Sequence, residues 1–264
     1  MKKKLYFILA LAVVAVFAVS GFTYAMFTDQ ATNEAKTFTT GTVDIDSYRD
    51  GFDTIPGPMF YTTAQEGATP TDPSFDGLKP VGEWVPGKTV VRSLVVYNQG
   101  SLDAVLDQIK AEIQSDPKKM ASQMDVAVYK ILPQILPDGT PFAPIPGDDS
   151  MDQQALDQAS RLINPLTLLL DAFFDVEDLA QALIEAEIPA TAVKLYEGNL
   201  GDLTSGYASL SPAVNLKAAG NPFVKRGALL AFVVHMDINA GNEYQGADAV
   251  FGFTVNATQA RNNP

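Results

Sequence analysis

Two stretches near the C-terminal end carry an apolar residue at every second position without a break, and this period of two most narrows what the chain can fold into. In the first stretch the apolar positions are Leu230, Phe232, Val234, Met236 and Ile238. In the second they are Ala249, Phe251, Phe253, Val255 and Ala257. Because successive side chains of a strand point to opposite faces, such a pattern is typical of antiparallel sheets that bury one face.

Further strands are predicted where β-branched and aromatic residues cluster between turn residues. They span residues 37–45, 90–97, 125–132 and 191–196. In the strand 37–45, regular alternation would place Phe38 on the opposite face from Val43 and Ile45. A bulge at Gly41 would bring all three side chains to the same face. The run 102–113 fits both strand alternation and helical spacing, so it stays open between strand and helix.

The remaining chain divides into loops and one helical stretch. Residues 46–88 hold six prolines and residues 133–149 hold five, which predicts two long loops. Residues 151–187 carry apolar side chains at helical spacing, with a break near Pro165 and a helix start at Asp175. The predicted fold is mainly β, an antiparallel β-sandwich in one domain with a helical insertion at 151–187.

The N-terminus has the pattern of a secretory signal peptide. Three lysines precede an apolar stretch of 15 residues, and Thr23 and Ala25 supply the small residues of a cleavage site. The alternative is a retained membrane anchor, but a span takes about 20 apolar residues. We therefore expect cleavage between Ala25 and Met26, with residues 1–25 removed and the mature protein, 26–264, secreted to the cell surface or extracellular matrix.

The charge and the rare residues exclude several classes of function. The chain has 18 Lys and Arg against 31 Asp and Glu, and removing the three lysines of the signal leaves 15 against 31, a net charge of −16. Such acidity argues against nucleic acid as a partner. Without cysteine the chain can form neither a disulfide nor a thiolate metal site. With a single histidine it lacks the catalytic residues that most hydrolase mechanisms require.

Residues 82–89 match the letters of a phosphate-binding loop. That loop needs a strand before it and a helix after it, whereas here a proline-rich stretch enters and a predicted strand leaves. We interpret it as a Pro-Gly turn that opens a strand.

His235 has no HExxH motif and no Gly-x-Ser-x-Gly elbow to accompany it, so we expect a solvated or locally paired strand histidine.

Acidic residues crowd one short segment, which suggests Ca²⁺ as a possible ligand. Asp44, Asp46 and Asp50 are the candidate metal residues, with Asp53 close by. Counted as an EF-hand from Asp46, the twelfth position is Gly57 rather than Glu, so that loop fails. A solvated acidic turn is the favoured interpretation, and Asp148-Asp149 is interpreted in the same way. No cofactor is predicted.

Three blocks of sequence, in this order, resemble one family. The first is residues 20–29 (SGFTYAMFTD) followed by 37–45 (TFTTGTVDI). The second is Pro86-Gly87 followed by 98–102 (NQGSL), and the third is 242–246 (NEYQG) followed by 253–259 (FTVNATQ). Residues 196–203 (YEGNLGDL) add a further match. Together these blocks resemble the TasA/camelysin family, also called CalY or spore coat-associated protein N.

The resemblance implies a secreted structural protein with a jelly-roll-like β-sandwich. A dedicated type I signal peptidase would release it, and copies would polymerise head to tail into biofilm-matrix fibres, with matrix accessory proteins as further partners. In such fibres the N-terminal segment is donated as a strand into the next subunit. Carried to this chain, the donor is residues 26–42, with Phe27 and Phe38 as apolar plugs and Gly41 at the bulge.

Two alternatives remain beside the fibre hypothesis. The family also carries a metalloendopeptidase description through camelysin, and a carboxylate-rich metal site would be required for that activity. A monomeric surface adhesin or matrix accessory is the other alternative. With one histidine and no zinc motif, the sequence favours a protein that is not an enzyme.

Overall fold

A computed structural model describes residues 28–31, 43–49, 58–61, 80–136, 138–144, 146–156, 158–159, 179–185, 187–218, 226–246 and 248–260. The strands in these ranges are β1 Thr28–Ala31, β2 Ile45–Arg49, β3 Thr89–Asn98, β4 Ala104–Ser115, β5 Met124–Pro133, β6 Met151–Asp152, β7 Ala190–Asn199, β8 Ala208–Leu216, β9 Arg226–Met236 and β10 Val250–Gln259. The helices are α1 Leu179–Glu185 and α2 Leu200–Ser205, with 3₁₀ turns at Met120–Gln123 and Asn242–Tyr244.

The strands form two antiparallel sheets. One sheet has the order β1-β10-β4-β8, and the other has the order β2-β3-β9-β5-β7, with the short β6 also paired to β9. From β3 onward most connections cross from one sheet to the other, whereas β5, β6 and β7 follow one another in the same sheet. The predicted mainly-β antiparallel sandwich is confirmed, and β2 is an additional edge strand beside β3.

The main core lies between the two sheets, where the two alternating stretches meet. Phe232 of β9 and Phe253 of β10 stack with ring centroids 4.5 Å apart. The other predicted apolar positions of both stretches lie in the same core cluster, with one exception. Ile238 is 72 % exposed, because β9 ends at Met236 and the chain turns at Asp237, whose carbonyl accepts from the Ala240 amide at 3.0 Å.

A second core covers the opposite face of the β3-β9-β5 sheet, so the expectation of one buried face is wrong there. Leu229, Ala231 and Val233 of β9 pack in this cluster with apolar residues of the helical stretch. Those residues include Leu156, Leu179 and Leu183. Residues 153–156, 158–159 and 179–185 are helical as predicted, whereas Pro165 and Asp175 fall outside the described residues.

The open interpretation of 102–113 is resolved as strand β4. A bulge places Gln108 opposite Asn256 and Leu106 opposite Ala257, so Asp107 is the extra residue. Leu106 and Ile109 are consequently both buried although they lie three positions apart, which imitates helical spacing. The strand β8 was not predicted, and β2 begins where a predicted strand ended and runs into the predicted loop 46–88.

Candidate functional site

The outer edge of β10 is shared by two separate pieces of chain. β1 pairs with it in antiparallel register from Thr28 opposite Thr258 to Ala31 opposite Val255. Further along the same edge, the amides and carbonyls of Phe60 and Phe251 exchange two hydrogen bonds, of 2.9 and 3.0 Å. β4 occupies the other edge of β10. Residues 28–31 and 58–61 therefore pair with the two ends of this edge, at 255–258 and at Phe251, and leave positions 252–254 between them.

Residues 58–61, named here the edge stop, are buried at all four positions. The buried Arg49 guanidinium of β2 donates to the carbonyl of Pro58 and lies over the Tyr61 ring at 5.8 Å. The Val81 amide donates to the Tyr61 carbonyl at 2.8 Å. Since Arg49 belongs to one sheet and β10 to the other, the edge stop joins the two sheets on this side of the sandwich.

An aromatic cluster holds the edge stop from inside. The Phe60 ring stacks on Phe251 at 4.9 Å and meets Phe253 edge-on at 6.0 Å. Trp84 lies 6.5 Å from Phe60 and 6.0 Å from Phe251, measured between ring centroids. Phe60 and Trp84 have no measurable exposure. Removing the edge stop would therefore expose a large aromatic side chain and open the core.

β1 is attached differently, through four residues that pair with a single strand. Eleven residues, 32–42, connect it to the next described residue, Val43. Fully extended, a connection of that length spans about 40 Å. β1 is thus a short edge strand that a connection of eleven residues separates from Val43.

The predicted donor segment 26–42 contains β1. All the residues named for the donor and for the cleavage site fall outside the described residues, namely Ala25 and Met26 at the cleavage site and Phe27, Phe38 and Gly41 in the donor. Sequence reasoning missed Arg49 and Phe60, which both lie in the predicted loop. Four consecutive apolar residues at 58–61, inside an otherwise polar, proline-rich stretch, were the signal that could have found the edge stop.

Among the acidic candidates, Asp46 lies on strand β2 rather than in a turn. Its carboxylate accepts from the Ser47 amide, the Tyr48 hydroxyl at 2.6 Å and the Gln99 side chain at 3.0 Å. Burial, this hydrogen bond and the negative charge of Asp46 raise the pKa of Tyr48 to about 12. The carbonyl of Asp44 accepts from the Gln99 amide at 2.7 Å. The described ranges contain no cluster of three or more metal-ligating side chains, and Asp50 and Asp53 fall outside them.

The stretch that imitates a phosphate loop is a turn that opens β3, as predicted. The Lys88 amide donates to the Val85 carbonyl at 3.0 Å, and Gly87 has a φ of +81°. Pro86 followed by a glycine with positive φ is the arrangement of a type II turn. The Lys88 ammonium donates to the carbonyl of Glu83 at 2.9 Å and lies over the Trp84 ring, so it holds the turn together.

His235 is buried, with 9 % of its surface exposed, so the solvated interpretation is wrong and the paired one is confirmed. Its Nδ1 lies 2.8 Å from the hydroxyl oxygen of Thr89, the residue directly opposite on β3.

Asp148 is buried rather than solvated, and its carboxylate accepts a hydrogen bond from the Arg226 guanidinium at 2.8 Å. The neighbouring Asp149 pairs with the buried Lys130. These acids therefore tie the loop before β6 to the sandwich.

Comparison with known proteins finds no family model and no curated protein that matches the chain. Among the described residues, no helix combines the length and the apolar character needed to cross a bilayer.

Proposed function

We propose that the mature protein is a secreted structural subunit that polymerises into extracellular fibres by exchanging β1 between copies. The observation that carries the proposal is the place of β1. It begins at the third residue of the predicted mature chain and completes a sheet by pairing with the outer edge of β10. The resemblance to TasA and camelysin proteins points to the same assembly.

The exchange needs no new type of contact. The backbone groups of Val255–Thr258 accept an antiparallel strand, and the β1 of a second copy offers the same partners as the chain's own β1. If a copy gives its strand to one neighbour and receives a strand from another, the contact is head to tail and subunits add in an open row, whereas reciprocal exchange would close into a pair. The proposal is the head-to-tail form, which builds a fibre.

Cleavage of the signal is the step that makes β1 available. With cleavage after Ala25, only Met26 and Phe27 precede β1, so its start is freed from the apolar stretch. The mature net charge of −16 keeps copies apart until a specific contact forms. Secretion and assembly are therefore linked through one peptide bond.

Negative-stain electron microscopy tests the proposal. The mature protein 26–264 is incubated beside a variant that begins at residue 43, and circular dichroism checks that both are β-rich. We expect fibres from the first and a folded, fibre-free protein from the second. Normal fibres from the shortened variant would reject strand exchange.

A monomeric adhesin or matrix accessory is the second candidate. It is favoured by the pairing of β1 with β10 of its own chain, which leaves the sheet complete without a neighbour. This candidate predicts a single species in sedimentation experiments at every concentration. Concentration-dependent growth into long particles would reject it.

A further inference from the structure

We propose that Lys130 and Asp149 condense into an isopeptide bond, an amide between the Nζ of Lys130 and the Cγ of Asp149, which links the two sheets covalently. The bond itself does not depend on how copies of the chain assemble. Its role, to keep a subunit closed when a fibre is pulled, rests on the proposed function. The chain has no cysteine, so no disulfide can take this role.

Lys130 lies inside the sandwich. It is on β5, directly opposite Leu230 of the main core on β9, and only 6 % of its surface is exposed. Asp149 belongs to a segment that is paired with the other sheet, because its amide donates to the carbonyl of Asn215 on β8 at 2.8 Å. A bond between the two side chains therefore ties β5 of one sheet to the segment held by β8 of the other.

The surroundings of the Lys130 nitrogen fit an amide better than an ammonium. An ammonium carries three N–H donors, and burying it without matching acceptors costs free energy. Within the described part of the chain, the Lys130 Nζ has one hydrogen-bond acceptor, the Oδ1 of Asp149. An amide nitrogen has a single N–H, and condensation also removes both charges from the interior.

The two oxygens of Asp149 have different partners. Oδ1 contacts the Lys130 nitrogen, and Oδ2 accepts from the Asn215 amide at 2.8 Å. When Nζ attacks Cγ, negative charge develops on Oδ2, and the Asn215 N–H stabilises it as the donors of an oxyanion hole do. Because both reacting residues are held by backbone pairing, little further entropy is lost in the attack. The Asp149 side chain is 22 % exposed, which leaves the departing water a way out.

The step balances without a co-reactant. The ammonium first transfers one proton to Oδ1, which leaves a neutral amine beside a carboxylic acid. The lone pair of Nζ then attacks Cγ, the π pair of the C–Oδ2 bond moves onto Oδ2, and a second Nζ proton passes to Oδ1. The C–Oδ1 bond breaks, one water leaves with Oδ1, and the double bond to Oδ2 forms again. The amide keeps one proton on Nζ and still accepts from the Asn215 amide.

The pair of Asp103 and Lys217 has the same contacts at the surface. The Lys217 Nζ donates to one Asp103 oxygen at 2.7 Å, and the Ala218 amide donates to the other at 2.8 Å. The Lys217 and Asp103 side chains are 46 % and 31 % exposed, so water supplies the remaining acceptors of this ammonium. Condensation is therefore expected at the buried pair and not at the exposed one.

Intact mass measured under denaturing conditions tests the inference on the mature protein 26–264. We expect a mass lower than the sum of its residues by one water. Trypsin should fail to cut after Lys130 and release residues 120–161 as one peptide that lacks one water, and a second cut beside Asp138 should leave its halves linked. Cleavage after Lys217 should proceed normally, with no link to Asp103.

Asp149→Asn is the most informative variant, because its side-chain amide can condense with Lys130 by releasing ammonia. The product is the same, so its mass should equal that of the condensed unchanged chain. Lys130→Arg removes the nucleophile and should keep its full mass. Asp148→Asn is the matched control, since it weakens the neighbouring ion pair with Arg226 and should still lose one water.

Two results would overturn the inference. One is a folded mature protein that shows its full mass, both when fresh and after prolonged incubation at neutral pH. The other is a missing water that maps outside residues 120–161. Neither result depends on fibres, so a linked subunit that does not assemble would count against the proposed function alone.

Discussion

The two pieces of chain on the outer edge of β10 differ in how they are held. The edge stop makes two backbone hydrogen bonds to β10, and it is also buried, stacked against aromatic rings and tied to Arg49. β1 runs along four residues of β10 and joins the rest of the molecule through residues 32–42. Under the proposed strand exchange, the backbone pairing of β1 is an interaction that the β1 of a second copy offers equally, whereas the packing of the edge stop depends on side chains of its own chain.

The largest effect is expected from Phe60→Ala. This change removes a fully buried ring and should lower the free energy of unfolding by about 3–5 kcal/mol. Gln30→Ala on β1 should change it by less than about 0.5 kcal/mol, since backbone pairing does not need that side chain. Urea unfolding of both variants measures the difference. Equal losses would mean that the two segments are held in the same way.

A smaller effect is expected from Arg49→Met, which keeps a long apolar side chain but removes the donor to the Pro58 carbonyl. Loss of a buried, charged hydrogen bond should cost about 1–3 kcal/mol. Limited proteolysis should then cut near residues 58–61 before the rest of the sandwich opens. Arg49→Lys, which retains a charge but lacks the planar fork, is the matched comparison. A free energy of unfolding for Arg49→Met equal to that of the unchanged protein would mean that Arg49 does not anchor the edge stop.

The smallest effect concerns β2, the strand that carries Arg49. The pKa of Tyr48 is about 10 in an unfolded chain and is raised to about 12 in the folded one, so its neutral form favours folding. That contribution is fully present below pH 10 and is lost as the pH rises toward 12. Tyr48→Phe should flatten the pH dependence of stability in that window. A slope identical to that of the unchanged chain would contradict this assignment.

The alternating strands could be predicted because their signal is local. β9 and β10 each repeat an apolar residue at every second position, and the two stretches face each other in the core. The C-terminal end of β9 was predicted two residues too late, at Ile238. The strand ends at Met236 because the chain turns at Asp237, although Ile238 continues the apolar pattern.

The second buried face of β9 was missed although Leu229, Ala231 and Val233 make residues 228–234 continuously apolar, a pattern typical of strands buried on both faces. The identity of the helical stretch that covers this face is not encoded within β9.

The edge stop could not be placed from sequence because its burial depends on distant partners. Pro58 and the prolines around it favour a loop, and the backbone of Phe60 is paired by a residue far along the chain. β1 has only four residues, two of them acidic or amide-bearing, so it shows no strand periodicity. Its predicted donor role came from the family resemblance and from its position after the signal, and it stays a prediction.

Mixed-subunit trapping tests the central claim most directly. One batch of mature protein carries only Gln30→Cys and a second, of different mass, carries only Asn256→Cys, so a bond between positions 30 and 256 can form only between copies. After the batches are mixed, allowed to assemble and oxidised, we expect disulfide-linked hetero-dimers in the fibre fraction. Fibres that contain no such hetero-dimers, with both batches folded, would contradict strand exchange through β1.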